Sequence, residues 1–143
     1  MIAILTTFAS FNIVRSRNVV SLETTVSSLI NEVKNQQLLS MSGFTQGGVQ
    51  NPYYGIYFEI DKYILFHTDS YQPGNPINFT INLDQDNQFN PINLTDSQII
   101  FSSSSGIIDN FDVNQNHVTL VNLNSGEQKT IYFNKFGVVY EIN

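Results

Sequence analysis

All eight glycines and all four prolines of this 143-residue chain lie beyond residue 42, and the first 42 residues contain neither. Glycine costs a helix interior about 1 kcal/mol relative to alanine and proline about 3 kcal/mol. Their absence from one end and concentration in the other predicts a single long helix over 1–42, followed by a β-rich domain over 43–143. The expected class is α+β, one N-terminal helix packed on a mostly antiparallel β-sheet domain. A 42-residue helix would extend about 63 Å. The radius of gyration of a 100-residue domain is only about 13 Å, so one end of such a helix must project.

The helix has two textures. Residues 1–14, MIAILTTFASFNIV, carry no charged side chain and are mostly apolar. Residues 15–42 open on Arg15 and Arg17 and become amphipathic. Val19, Leu22, Val26, Leu29, Ile30, Val33 and Met41 fall largely at steps of three and four, with Glu23, Asn31, Glu32, Lys34 and Asn35 on the rest of the wheel. That spacing predicts one stripe docked on the sheet. Gly43 is a natural C′ stop. The apolar start would reach about 21 Å as a helix, against the 30 Å or so of a bilayer core. No basic region precedes it and no small-residue cleavage site follows, so it does not read as a signal peptide. Three settings suit it: the domain interior, a membrane interface, or the distal part of a longer transmembrane helix. The last best accounts for hydrophobicity that begins at residue 1 without a cap. Arg15 and Arg17 would then mark where the helix leaves lipid.

Beyond residue 42 the pattern changes to alternation. Residues 43–52 read as a loop. Tyr54, Ile56, Phe58 and Ile60 share one face of a strand; Tyr53, Gly55, Tyr57 and Glu59 share the other. Asp61-Lys62 would turn the chain into a second arm over 63–69. Pro73-Gly74-Asn75-Pro76 is a turn, followed by a strand carrying Ile77, Phe79, Ile81 and Leu83. Residues 84–98, polar and interrupted by Pro91, read as a loop. Further strands are expected over 99–102, 106–113, 118–123, 130–133 and 138–142, making roughly seven or eight in all.

Twelve acidic and six basic residues leave a net charge of −6. Only 13% of residues are charged, against about 25% in an average domain. The difference is made up by 18 Asn, 10 Gln, 14 Ser and 10 Thr. Acidity and scattered cations argue against nucleic-acid binding. There is no cysteine, which removes disulfides, thiolate metal sites and cysteine nucleophiles.

Little in the sequence points to catalysis. His67, beside Asp69, and His117 each lack a second ligand at metal spacing, and both read as surface or strand-edge residues. Residues 84–88, DQDNQ, resemble the start of a calcium loop, but Phe89 stands where glycine is needed and Thr95 where glutamate is. Asp109, Asp112 and Asn114 form a looser oxygen cluster. Ser102 to Ser105 read as a turn. Glu23 and Glu32 are too far apart on the helix to act as an acid–base pair. The sequons at Asn78 and Asn93 are the chance matches such a composition produces. Tyr53, Tyr54 and Tyr57 could make a ligand-binding platform, for a glycan for instance, although cross-strand contact is the plainer reading. No catalytic residue, cofactor or metal is expected.

An apolar helix turning amphipathic, then a β-domain of this size, resembles the type IV pilin superfamily. The segment MIAILTTFASFNIVRSRN is similar to the second half of the shared pilin helix. Tyr54 through Phe58, Tyr63 through Phe66, Ile99 through Phe101 with Gly106, Val118 through Leu120, Gly126 with Lys129 through Phe133, and Gly137 through Val139 resemble minor pseudopilins of the general secretion pathway protein H and FimT type. By this likeness Met1 falls inside the helix, after the family's basic leader and Phe-Thr-Leu-Ile-Glu start. The resemblance implies a non-enzymatic subunit of a type IV pilus or type II secretion system. Its helix would be held in the inner membrane and then among other subunits, through Ile2, Ile4, Leu5, Phe8, Phe11 and Val14. The β-domain would lie outside the cytoplasm and meet neighbours or secreted cargo. Some FimT-type proteins bind DNA through a basic C-terminal stretch; here residues 137–143 carry no cation.

Overall fold

A computed structural model describes the backbone of residues 2–42, 53–137 and 139–142, and side chains from Leu22 onward apart from Tyr140 and Glu141. The expected loop over 43–52, the Gly43 stop and the side chains of Val19 and of the apolar start lie outside the described residues. One helix, α1 (Ile2–Ser42), precedes eight strands: β1 (Tyr54–Glu59), β2 (Lys62–Phe66), β3 (Phe79–Asn82), β4 (Asn87–Leu94), β5 (Gln98–Phe101), β6 (Asn116–Asn122), β7 (Gln128–Phe133) and β8 (Val139–Ile142). They form two four-stranded sheets, ordered β3-β2-β1-β5 and β4-β6-β7-β8. Every pairing is antiparallel. The protein is therefore α+β, as the glycine and proline distribution implied, with two sheets rather than one.

The β1–β2 hairpin closes on the pair Glu59–Lys62, joined by a salt bridge of 3.4 Å. Its two-residue loop is Ile60-Asp61, one position earlier than expected, which leaves Ile60 exposed rather than on the inner face. Cross-strand partners share a face. Thus Ile56 with Leu65 and Ile99, and Phe58 with Tyr63, look toward the core. From the second sheet come Phe89, Leu94, Val118, Leu120, Ile131 and Phe133. Phe89 meets Phe58 edge-on, ring centroids 5.3 Å apart, an arrangement aromatic pairs favour. The two sheets and the helix thus share one core.

Strand β4 overturns the expected polar loop over 84–98. It is an edge strand, and between Phe89 and Ile92 two of its residues, Asn90 and Pro91, face the single residue Thr119 of β6. A bulge at a sheet edge is where proline is tolerated, because no ladder donor is required there. The expected strand over 106–113 is also corrected. Ile108 makes an isolated bridge to Phe101 and Asp112 one to Gln115, with no continuous strand between them. The rest forms a cover for β5. Asn110 accepts a hydrogen bond from the Ile100 amide at 3.1 Å and donates to the Gln98 carbonyl at 2.8 Å. A side-chain amide thereby satisfies backbone groups that an open edge would leave to another chain.

Asparagine closes other corners. The Asn122 side chain is buried; its oxygen accepts from the amides of Asn124 and Ser125, and its nitrogen donates to Asn87 at 3.0 Å. Such hydrogen-bonded amides explain how a chain so rich in asparagine can bury some of them.

Candidate functional site

The helix meets the sheets along one line. Leu22, Val26, Leu29, Val33, Gln36 and Ser40 are all buried, spaced 4, 3, 4, 3 and 4. This is the α-helical rhythm of a single contact face. Ile30 is partly buried beside it. Met41, expected as the last member of the stripe, lies off the line. It is largely exposed, with its thioether against Gly106. Ser40 holds the expected place instead. Gln36 and Ser40 were missed because both are polar, and hydrophobicity is the only signal a stripe offers. Their burial is explained by hydrogen bonding. Gln36 Nε2 donates to the Gly55 carbonyl at 2.8 Å, and Ser40 Oγ to the Gln37 carbonyl at 2.7 Å.

The C-terminal end of α1 is clasped by two turns. Gln37 Nε2 donates to the carbonyls of Gly106 at 2.9 Å and Phe136 at 2.6 Å. The Ser104 amide donates to the Ser40 carbonyl at 3.0 Å, serving one of the carbonyls a helix end leaves open. Both turns carry glycine at positive φ, 67° at Gly106 and 75° at Gly137. A Cβ at Gly137 would sit 2.7 Å from Gln37 Nε2 and 2.8 Å from Phe101 Cε1. Only glycine lets this turn approach the helix so closely. The serine run is thus part of the clasp.

The helix also closes one side of a cleft of about 210 Å³, between Leu39 on α1, Leu65 and Phe66 on β2, and Ile77 and Phe79 at the start of β3. His67 lines it and is only 2% exposed, against the expectation of a surface or edge residue. Its Nδ1–H donates to the Tyr53 carbonyl at 2.6 Å, and its ring stacks on Tyr54 at 4.0 Å. A carbonyl can only accept, so the neutral ring carries its lone pair on Nε2. That atom is buried without a hydrogen-bond partner. An unmade bond of this kind costs about 1–3 kcal/mol.

The other candidates do not converge. Tyr54 faces His67, while Tyr57, three residues on and on the opposite face of β1, stacks on Tyr71 at 4.0 Å. Tyr53, Tyr54 and Tyr57 therefore form no shared platform. His117 lies on the interior strand β6 near Tyr132. The Asp109 carboxylate accepts from Ser102 Oγ at 3.2 Å, and that of Asp112 from the Asn114 amide at 2.8 Å. Asp84 opens the turn into β4 and Asp86 lies within it. Among the described residues no three His, Asp or Glu side chains come together to hold a metal ion. Among the described residues no helix is long and apolar enough to cross a membrane. Burial, assisted by the Glu32 carboxylate, pushes the phenol of Tyr63 up to about 12. The chain matches no family model, no curated protein and no solved structure.

Proposed function

We propose that the protein is a structural subunit of the minor pilin or pseudopilin kind, which assembles through its N-terminal helix and performs no catalysis. The observation that carries this reading is a division of labour along one helix. Helix α1 continues unbroken from Ile2 to Ser42. Its buried line from Leu22 to Ser40 occupies one face in the shared core. At 1.5 Å per residue the helix is about 62 Å long, more than a domain with a radius of gyration near 13 Å can cover. The apolar segment 1–14 is what remains for other helices. In this reading Ile2, Ile4, Leu5, Phe8, Phe11 and Val14 meet neighbouring subunits or lipid, and the two sheets face outward from the assembly. The resemblance of the segment to the second half of a pilin helix supports the same conclusion.

Because the chain has no cysteine, a single one can be placed at will. Phe8→Cys should form oxidised cross-links between subunits in the native membrane or filament, whereas Asn31→Cys, on the exposed side of the docked half, should not. Equal cross-linking at both positions, or none at Phe8, refutes assembly through this segment.

A further inference from the structure

We propose that the open edge of β3 is a docking site for an extended, uncharged segment of a partner polypeptide, which adds a strand to the first sheet and seats an apolar side chain beside Phe79. The ladder itself shows which groups are free. The Leu83 amide donates to the Asp61 carbonyl at 2.9 Å. The register then runs back through Asn82–Lys62, Ile81–Tyr63, Thr80–Ile64 and Phe79–Leu65. Hydrogen-bonded pairs alternate along an antiparallel ladder. Leu83, Ile81 and Phe79 therefore turn their backbone groups to β2, and the N–H and C=O of Thr80 and Asn82 point away from it. Strand β3 ends its sheet, and both residues are exposed. Among the described residues no backbone group bonds to these four. A second backbone matches their spacing, which is how strand addition recognises a partner.

Two other edges are blocked. Asn110 covers β5, and β4 carries Pro91 in a bulge. Residues 77–83, INFTINL, hold no lysine, proline or charge, and β3 pairs without a bulge. None of these devices protects this edge.

The cleft defines the occupant. Phe79 and Ile81 share the core-facing side of the ladder with Leu65 and Tyr63. Phe79 is 63% exposed. With Leu39, Leu65 and Ile77 it walls the cleft of about 210 Å³, whose lining has no charged side chain. An incoming residue opposite Phe79 lies on that same side, at the rim of the cleft. Its side chain is accordingly apolar, and since a cavity of about 150 Å³ holds benzene, a phenyl ring fits. A second copy of this chain suits the edge less well. The register that satisfies all four groups in both copies centres on Ile81 and sets the copy's Leu83 opposite Phe79, yet Leu83 is already packed against its own core. Two folded domains joined along a strand of four residues also bury far less than the 1,200 Å² or so of a stable complex. A segment with no fold of its own escapes both limits. The surface lies on the β-domain, so it stands or falls separately from assembly through α1.

The probe is an acetylated and amidated heptapeptide, Thr-Val-Thr-Phe-Thr-Val-Thr. Titrated into the full ¹⁵N-labelled chain, it should shift the Thr80 and Asn82 amides saturably and slow their hydrogen exchange. With phenylalanine opposite Phe79, the threonine amides face β3. N-methylation of the two threonines beside the phenylalanine should therefore weaken binding at least ten-fold, at about 1 kcal/mol for each lost bond. N-methylation of the phenylalanine and the valine after it should change binding two-fold or less. Thr80→Pro removes a free donor without touching the β2 ladder, a change edge strands tolerate, and should weaken the peptide at least five-fold. If that variant does not fold, the two methylated peptides decide. The proposal is overturned by the absence of a saturable shift at Thr80 and Asn82, or by equal binding of the two methylated peptides. Self-association of the chain that Thr80→Pro dissolves would give the edge to a second copy and overturn it as well.

Discussion

Two leucines nine residues apart on α1 measure how far the helix belongs to the core. Leu29 is fully buried and Leu38 is 63% exposed. Truncating either to alanine removes the same atoms, and the helix propensities of leucine and alanine are close. Any difference in stability is therefore a difference in surroundings. At Leu29→Ala the lost transfer energy is about 2.4 kcal/mol, from three carbon groups at roughly 0.8 kcal/mol each. The helix packs against strands of both sheets and Leu29 belongs to their common core, so a cavity term adds to this. The total should be about 3–4 kcal/mol, within the range measured for buried Leu→Ala changes elsewhere. Leu38→Ala should cost less than about 0.5 kcal/mol. Urea unfolding followed by circular dichroism and tyrosine fluorescence, tryptophan being absent, gives both numbers. A loss below about 1 kcal/mol at Leu29, or equal losses at the two sites, would show that the helix is an appendage rather than a wall of the core.

Two further predictions concern the clasp and the core. Gly137→Ala and Gly126→Ala both force alanine to positive φ, but a Cβ at Gly126 meets nothing within 4 Å. Gly126→Ala should cost about 1 kcal/mol from backbone strain alone, and Gly137→Ala a further 1–3 kcal/mol or so from overlap with Gln37 and Phe101. Equal losses in chemical denaturation would remove the clasp from the account. For Tyr63, the folded phenol is held to about 12, above its ordinary 10.0. Between these values the unfolded chain gives up the proton first, so the stability it contributes is complete below pH 10 and is lost as pH rises toward 12. Unfolding titrations of wild type and Tyr63→Phe should show a steeper loss across that window in the former, with Tyr54, also raised by burial, contributing to both; parallel curves would assign the alkaline transition to other groups.

The sequence revealed those features whose signal is hydrophobic and periodic. Leu22, Val26, Leu29 and Val33 announce the docked face because apolar residues repeat with the helical period. Gln36 and Ser40 continue the same face invisibly, since what seats them is a hydrogen bond to a strand or to the preceding turn. Strand β4 was hidden because Pro91 and its amides mimic a loop; a bulge at an edge reverses their meaning, and that is set by tertiary pairing. The 106–113 segment shows the opposite error. Its apolar residues alternate like a strand, yet Asn110 turns it into a cover for β5. His67 looked like a surface residue because nothing local records that Tyr53, Tyr54 and α1 enclose it.

Removing residues 1–14 tests the central division most directly. If the oily segment serves contacts outside its own domain, the shortened chain should unfold in urea with the same midpoint and slope as the full chain. A shortened chain that fails to fold cooperatively, or loses several kcal/mol, would place that segment in the interior and contradict the account.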